Sequence, residues 1–326
     1  MYATDRPQGE VRAAEQEFAP AAAAPKRTKM NRRKRNEYIW GWVFITPLTV
    51  GFLLFTAFPL VLSIFYSFTS YDLFHAPEWI WFDNFIEIFT SPTDWFLESL
   101  VNALIYTIGV PLGAFFSLII SSMLVNIRRG SLVYRMIFYI PTICGSVAIT
   151  FIWQWMYASE YGILWDFLEG LGIQLGDEFG FLNRDNFMIS MMVMGIWSGL
   201  GVSMLLFYSS LQNVPRDLYD AASLDGAGPV SKFRYITLPG ISSVLFYVLI
   251  TGIVGTFQAF TQFQVMTGDV ISDYSVVPVW WIYRYITGEW GYRYGYASAM
   301  GLLLGLILII VSAVQFILSK YWVKYD

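Results

Sequence analysis

Six stretches of the chain are almost purely apolar, at about 39–68, 99–126, 134–157, 186–211, 238–267 and 296–319. Each is long enough to cross a bilayer as a helix, which takes roughly 20 residues. Apart from Arg135 at the edge of the third, none contains Asp, Glu, Lys, Arg or His. Prolines inside them (Pro47, Pro59, Pro111 and Pro141) predict bends, which a bundle tolerates where neighbours re-satisfy the freed carbonyls. The long connection 157–185, with its glycines and acidic residues, predicts a structured loop with a short interfacial helix near Ile163–Leu171. The pattern predicts an all-α, polytopic membrane protein of six transmembrane helices.

Charge then gives the pattern a direction. Arg128, Arg129 and Arg135, then Arg216, Lys232 and Arg234, then Lys320 and Lys324 fall on the side of the N-terminus. The opposite connections carry Asp72, Glu78, Asp83, Glu87 and Asp94, then Glu160, Asp166, Glu169, Asp177, Glu178 and Asp185. Their only cations are Arg184, Arg284 and Arg293. By the positive-inside rule both termini are expected in the cytoplasm. Residues 1–36, rich in Ala, Pro, Lys and Arg, read as a disordered basic cytoplasmic tail rather than a nucleic-acid arm. Residues 37–326 read as one six-span domain with its core at 95–320. Trp79, Trp81, Trp95, Trp153, Trp155, Trp280, Trp281 and Trp290 gather near the acidic side. Most are expected to anchor at headgroup level, where an indole is half apolar and half hydrated.

Composition agrees: 56% of residues are hydrophobic and 13% charged, against about a quarter charged in soluble domains. The chemistry is sparse. No G-x-x-x-x-G-K-[ST] phosphate loop occurs, so the chain does not hold ATP by that route. One cysteine, Cys144, cannot form an intrachain disulfide, and one histidine, His75, cannot make a multi-histidine metal site. No paired carboxylates or Ser/His/Asp arrangement appears, so neither an enzyme nor a bound cofactor or metal is expected. Proton-coupled carriers usually need ionisable groups within the membrane. Their scarcity favours an uncharged cargo and an energy source outside the chain, although sodium sites built from carbonyls escape this test.

The most informative polar segment is 213–239. It reads as two short helices broken at a glycine. Asn213 can cap the first, Pro215 suits its first turn, and Asp217 complements the positive end of its dipole. Leu218, Ala221, Ala222 and Leu224 give a small and apolar face suited to a partner's groove. Gly226 permits a backbone conformation that a side chain would hinder. Phe233 and Ile236 lie one turn apart and face the protein or membrane, and Pro239 opens the fifth span.

From Asp220 to Pro239 this segment reads D-A-A-S-L-D-G-A-G-P-V-S-K-F-R-Y-I-T-L-P. It closely resembles the EAA loop of binding-protein-dependent ATP-binding-cassette (ABC) importers. That pattern runs E-A-A, two residues, D-G-A, five residues, F, two residues, I, one residue, L-P. The chain matches at Ala221, Ala222, Asp225, Gly226, Ala227, Phe233, Ile236, Leu238 and Pro239. It departs at Asp220, which keeps the charge of the usual glutamate on a shorter side chain. The resemblance covers about 40–320 and is strongest to the sugar-importer branch, of the maltose, oligosaccharide and glycerol-phosphate type. It includes N-A-L-I-Y-T-I-G-V-P-L from Asn102, Y-I-P-T-I from Tyr139 and W-Q-W-M-Y-A-S-E-Y-G-I-L from Trp153.

The resemblance implies a type I ABC importer permease fold in a bacterial or archaeal cytoplasmic membrane. It implies a second permease subunit, a different chain, and two ATPase subunits that use the ATP and Mg. An extracellular or periplasmic solute-binding protein would deliver the cargo. Asp220–Gly226, with Ala227, Phe233 and Pro239, would couple the permease to its ATPase. Cargo positions implied by the family fall at Trp197, Ser198 and Gly199 on the fourth span, and at Thr256, Phe257, Gln258, Phe260 and Gln262 on the fifth. Aromatic faces beside amides and hydroxyls suit a neutral sugar. The same side chains equally serve as packing and interhelical glue. Two other readings stay open: a permease of the same superfamily for glycerol phosphate or an amino acid, and a self-contained carrier. The second leaves the D-G-A loop unexplained.

Overall fold

The computed structural model describes residues 32–127, 129–159, 161–173, 179–268, 271–288 and 291–324. The basic tail to residue 31, Arg128, Glu160, Asp177, Glu178 and Trp290 lie outside the described residues. The chain divides into two compact units, Met1–Pro59 and Leu60–Asp326.

In the first unit, α1 (Arg32–Phe52) runs through Pro47 without a break. It passes into a π turn at Leu53–Ala57, where the Phe58 amide donates to the Leu53 carbonyl, one residue further back than in an α-helix. The cause is Pro59. Its ring crowds the carbonyl four residues earlier and it has no N–H to offer. The helix α2 (Phe58–Ser67) follows. The same device recurs at Phe233–Thr237, where the Leu238 amide reaches the Phe233 carbonyl just before Pro239.

The second unit continues with a two-residue antiparallel ladder, β1 (Thr69–Ser70) on β2 (Glu78–Trp79), and then α3 (Asp83–Thr90). The helices α4 (Phe96–Thr107) and α5 (Gly109–Val125) form one crossing interrupted at Ile108. Pro111 explains that break, since it cannot serve the Thr107 carbonyl. The helices α6 (Ser131–Ile143) and α7 (Ser146–Met156) meet at 96°. Pro141 sits inside α6, so this bend falls at Cys144–Gly145 and not at the proline.

Next come α8 (Ile163–Gly170), the expected short helix, and α9 (Phe187–Asn213). The 213–239 segment holds α10 (Arg216–Leu224) and α11 (Pro229–Lys232). After α12 (Leu238–Gly240) the chain turns by 69° into α13 (Ser242–Phe257). The chain ends with α14 (Thr261–Thr267), α15 (Pro278–Ile286) and α16 (Tyr294–Ser319). Four helical stretches are long and apolar enough to cross a membrane by themselves: Arg35–Ser67, Phe96–Val125, Phe187–Asn213 and Tyr294–Ser319. Counting each bent pair as one crossing raises the number to six.

Small and hydroxylic residues let these helices approach, as in membrane bundles generally. Gly201 on α9 lies against α6, where an added Cβ would stand 2.7 Å from Thr142 Oγ1 and 2.8 Å from the Phe138 carbonyl. Ser121 on α5 donates to the Met204 carbonyl of α9 at 2.7 Å, and Tyr157 after α7 donates to the Ser190 carbonyl at 2.7 Å. Thr107 and Thr256 share a hydrogen bond of 2.7 Å between α4 and α13. Each such bond stabilises by about 0.6 kcal/mol.

Three tryptophans correct the anchor reading. Trp153, Trp280 and Trp281 are buried within apolar clusters, whereas Trp79, Trp81 and Trp155 are exposed. Position near a span end does not separate the two roles; packing does.

Candidate functional site

At one end of the second unit, the 213–239 segment stands on a buried base and offers an exposed crown. Val214 and Ile241 are buried with Phe207, and Tyr219 and Ile236 pack against them. Asn213 is the last residue of α9 and Pro215 takes the cap position of α10, with no side-chain cap hydrogen bond. The expected Asn213 cap is therefore corrected: the spanning helix runs on through it. Gly226 closes α10 in the left-handed region at φ 75°, and the Ala227 amide reaches back to the Ala222 carbonyl at 2.8 Å. This is a Schellman closure, for which a residue without Cβ is preferred.

Two side-chain contacts hold the fold-back. Lys232 Nζ donates to Ser223 Oγ at 2.6 Å, and Tyr219 shares a 2.9 Å hydrogen bond with Thr237. Leu224 is 91% exposed and Val230 80%, beside the exposed Leu218 and Phe233. Asp220, Ala221 and Asp225 are also exposed, while Ala222, Ala227 and Pro239 are half-buried. Apolar knobs ringed by carboxylates on a rigid crown form a surface that another protein can cover.

Further along the bundle two cavities meet. A chamber of about 320 Å³ sits at the α6–α7 bend and is lined by Thr142, Cys144, Ser146, Thr150, Ser198 and other residues. A narrower groove of about 200 Å³ runs between α5, α9 and α13, with glycines 109, 113, 195, 199, 252 and 255 along it. Tyr106, Gly195 and Gln262 line both. Among the described residues, no Lys, Arg, Asp or Glu lines either.

The chain is 33% identical to the probable ABC transporter permease protein YesP of Bacillus subtilis (strain 168) over 299 residues, 91% of this chain and 96% of that protein. It belongs to the ABC transporter permeases. No family model matches the permease. It is also 27% identical to the arabinooligosaccharides transport system permease protein AraP of Bacillus subtilis (strain 168), over 85% of this chain and 88% of AraP. To the sn-glycerol-3-phosphate transport system permease protein UgpA of Yersinia pestis it is 26% identical, over 87% of this chain and 95% of UgpA. The fold is shared with a chain in the crystal structure of a bacterial alginate ABC transporter in complex with an alginate pentasaccharide-bound periplasmic protein. There the TM-score is 0.75 at 18% identity, covering 90% of the permease and 97% of that chain.

Of the cargo positions expected in the permease, Ser198 and Gln262 line the chamber, and Gly199, Thr256 and Gln262 line the groove. The other four do not line either cavity. Trp197 is exposed with its edge on Trp153, and Phe257 is buried beside α15 and α16. Gln258 is the exposed residue that ends α13, and Phe260 packs on Trp280 and Tyr283. Sequence reasoning missed Tyr106, Thr142, Ser146, Thr150 and Gly195. Tyr106 and Thr142 lie in two stretches that carry the family resemblance, but nothing in those stretches says which side chains face a cavity.

The end opposite the 213–239 segment is tied by charge. Arg293 makes a two-pronged ion pair with Glu87 at 2.5 and 2.7 Å and lies over the Tyr296 ring. That partner raises the Arg293 pKa further above its ordinary value. Arg184 pairs with Asp273 at 2.6 Å. Asp94, only 6% exposed, accepts from the Phe96 amide, Trp281 Nε1 and the hydroxyls of Tyr285 and Tyr296, all within 3.0 Å. Burial, then the Asp94 charge, pushes the Tyr285 hydroxyl well above the usual range. At the exposed rim Asp72 and His75 share a 2.6 Å hydrogen bond, which raises the imidazole and lowers the carboxyl.

Proposed function

We propose that this permease carries a neutral saccharide, in the oligosaccharide range, into the cytoplasm of a bacterium or archaeon. The 213–239 crown seats in a groove on a separate ATPase, which binds the ATP and Mg. A second permease chain completes the pathway and a solute-binding protein delivers cargo to the acidic end. Six crossings with both termini cytoplasmic put the crown and the ATPase on one side. Asp220, Ala221, Ala222, Asp225 and Gly226 transmit closure of the ATPase pair to the bundle, rocking it between inward- and outward-facing states. The chain itself performs no covalent chemistry.

The observation that carries this reading is the crown: an exposed two-helix segment, rigidly closed at Gly226, matching the D-G-A pattern in a confirmed family member. For the cargo, AraP's arabinooligosaccharides favour a saccharide and UgpA's glycerol phosphate offers the second reading. The cavity walls favour the saccharide. A phosphate ester would enter a chamber and groove lined by hydroxyls, an amide, glycines and apolar side chains, with no cation among the described residues to meet its charge.

The test is energy-dependent uptake in a strain lacking this chain, across labelled oligosaccharides, monosaccharides, glycerol phosphate and amino acids. Loss of one saccharide should be restored by the wild-type chain and not by Gly226→Pro, with that variant still inserted in the membrane. Wild-type uptake by Gly226→Pro would remove the coupling role. Loss of a non-sugar solute alone would remove the sugar assignment.

A further inference from the structure

The chamber and the groove share three lining residues, Tyr106, Gly195 and Gln262. Tyr106 enters this boundary from α4, with its ring edge-to-face on Phe263 of α14 at 5.2 Å between centroids. Gln262, also on α14, stands near its hydroxyl. Across from it stands Gly195 of α9, and a Cβ there would collide with the Tyr106 hydroxyl. So the ring is held on two sides, by an aromatic contact and by a notch that only glycine leaves open. A side chain fixed in this way is a wall, and a wall discriminates by size where a mobile side chain would yield.

On the chamber side the wall faces a lining that includes Thr142, Ser146, Thr150 and Ser198. Beyond it the groove is lined by glycines, which offer flat surface and room but few directed hydrogen bonds. The chamber alone lies near the lower end of the volumes that ligand sites occupy, about 300–1,000 Å³. Joined to the groove it would lie well inside that range.

We propose that Tyr106, seated on Gly195 and packed on Phe263, is the end-stop that sets the length of saccharide this permease accepts. Cargo units occupy the hydroxyl-lined chamber and are halted at Tyr106. The glycine groove behind it is length the wild-type protein withholds. This rests on the chamber being part of the cargo's path, and the test separates the two claims.

Uptake by the assembled transporter is measured for one saccharide series of increasing length, with the same binding protein throughout. Tyr106→Ala should raise the rate for the longer members relative to the shortest about 10-fold. Tyr106→Phe keeps the ring and should keep the wild-type length profile, with KM raised about 5-fold for the loss of one hydrogen-bonding group. Gly195→Ala, which displaces the hydroxyl, should disturb the profile in its own right. A second measurement needs no cargo. Ser203 lines the groove and not the chamber, so in a Cys144→Ser background the alkylation of Ser203→Cys by a bulky maleimide relative to a small one should rise in Tyr106→Ala and not in Tyr106→Phe.

An equal fall in uptake at every length in Tyr106→Ala would mark a packing role and overturn the end-stop. So would an unchanged maleimide ratio, because no wall would then have been removed. If the wild-type transporter takes up no saccharide of any length while the maleimide ratio still rises, the cargo reading fails and the wall stands without its length assignment.

Discussion

Asp94 satisfies one backbone amide and three aromatic side chains with two oxygens, so its loss is felt by its partners more than by itself. Leaving a buried donor without an acceptor costs about 1–3 kcal/mol, so Asp94→Leu should destabilise the acidic end by several kcal/mol. Asp94→Asn keeps the shape and one acceptor oxygen but turns an amine toward donors, and should fall between wild type and Leu. Thermal unfolding of the assembled complex in nanodiscs would show that order. Equal midpoints for all three would mean the contacts do not hold this end together. From sequence Asp94 reads as one more acidic loop residue. Its partners lie 187 to 202 positions later in the chain, at a separation no local pattern reports.

Among the elements, the two π turns and the break at Ile108 follow from Pro59, Pro239 and Pro111; the sequence marks Pro59 and Pro111 as sites of bending and Pro239 only as the opening of the fifth span. The short helix at Ile163–Gly170 and the glycine-closed fold-back at 216–232 were also legible, because each rests on local chemistry: an interfacial apolar face, a left-handed glycine. The α15 helix was not. Its aromatic run, V-W-W-I-Y-R-Y, reads equally well as an interfacial belt, and only tertiary packing puts Trp280 and Trp281 inside. Helix crossings supply a paired prediction. Gly201→Ala should lower stability by about 1–3 kcal/mol, because its methyl group enters α6. Gly199→Ala, two residues away with nothing within 4 Å of the added Cβ, should leave the unfolding midpoint unchanged. A similar loss from both would show that the close approach to α6 is not what Gly201 serves.

For the molecule as a whole, orientation follows from charge and is open to direct measurement. In a Cys144→Ser background, Thr93→Cys should react with an impermeant maleimide added outside intact cells, and Ser223→Cys only after the membrane is opened. The reverse pattern would invert the orientation. The general layout of spans was legible because burial in lipid demands long apolar runs. The meeting of Tyr106, Gly195 and Gln262 was not, since three helices from distant parts of the chain must pack before a cavity exists. The Asp94 cluster also has a consequence in time. Synthesis delivers this carboxylate 187 to 202 residues before Trp281, Tyr285 and Tyr296. Until the final crossing is threaded, a charge destined for burial keeps only the Phe96 amide, and the acidic end cannot close dry. A nascent chain halted before residue 281 is therefore marked as unfinished by its own unmet acceptor.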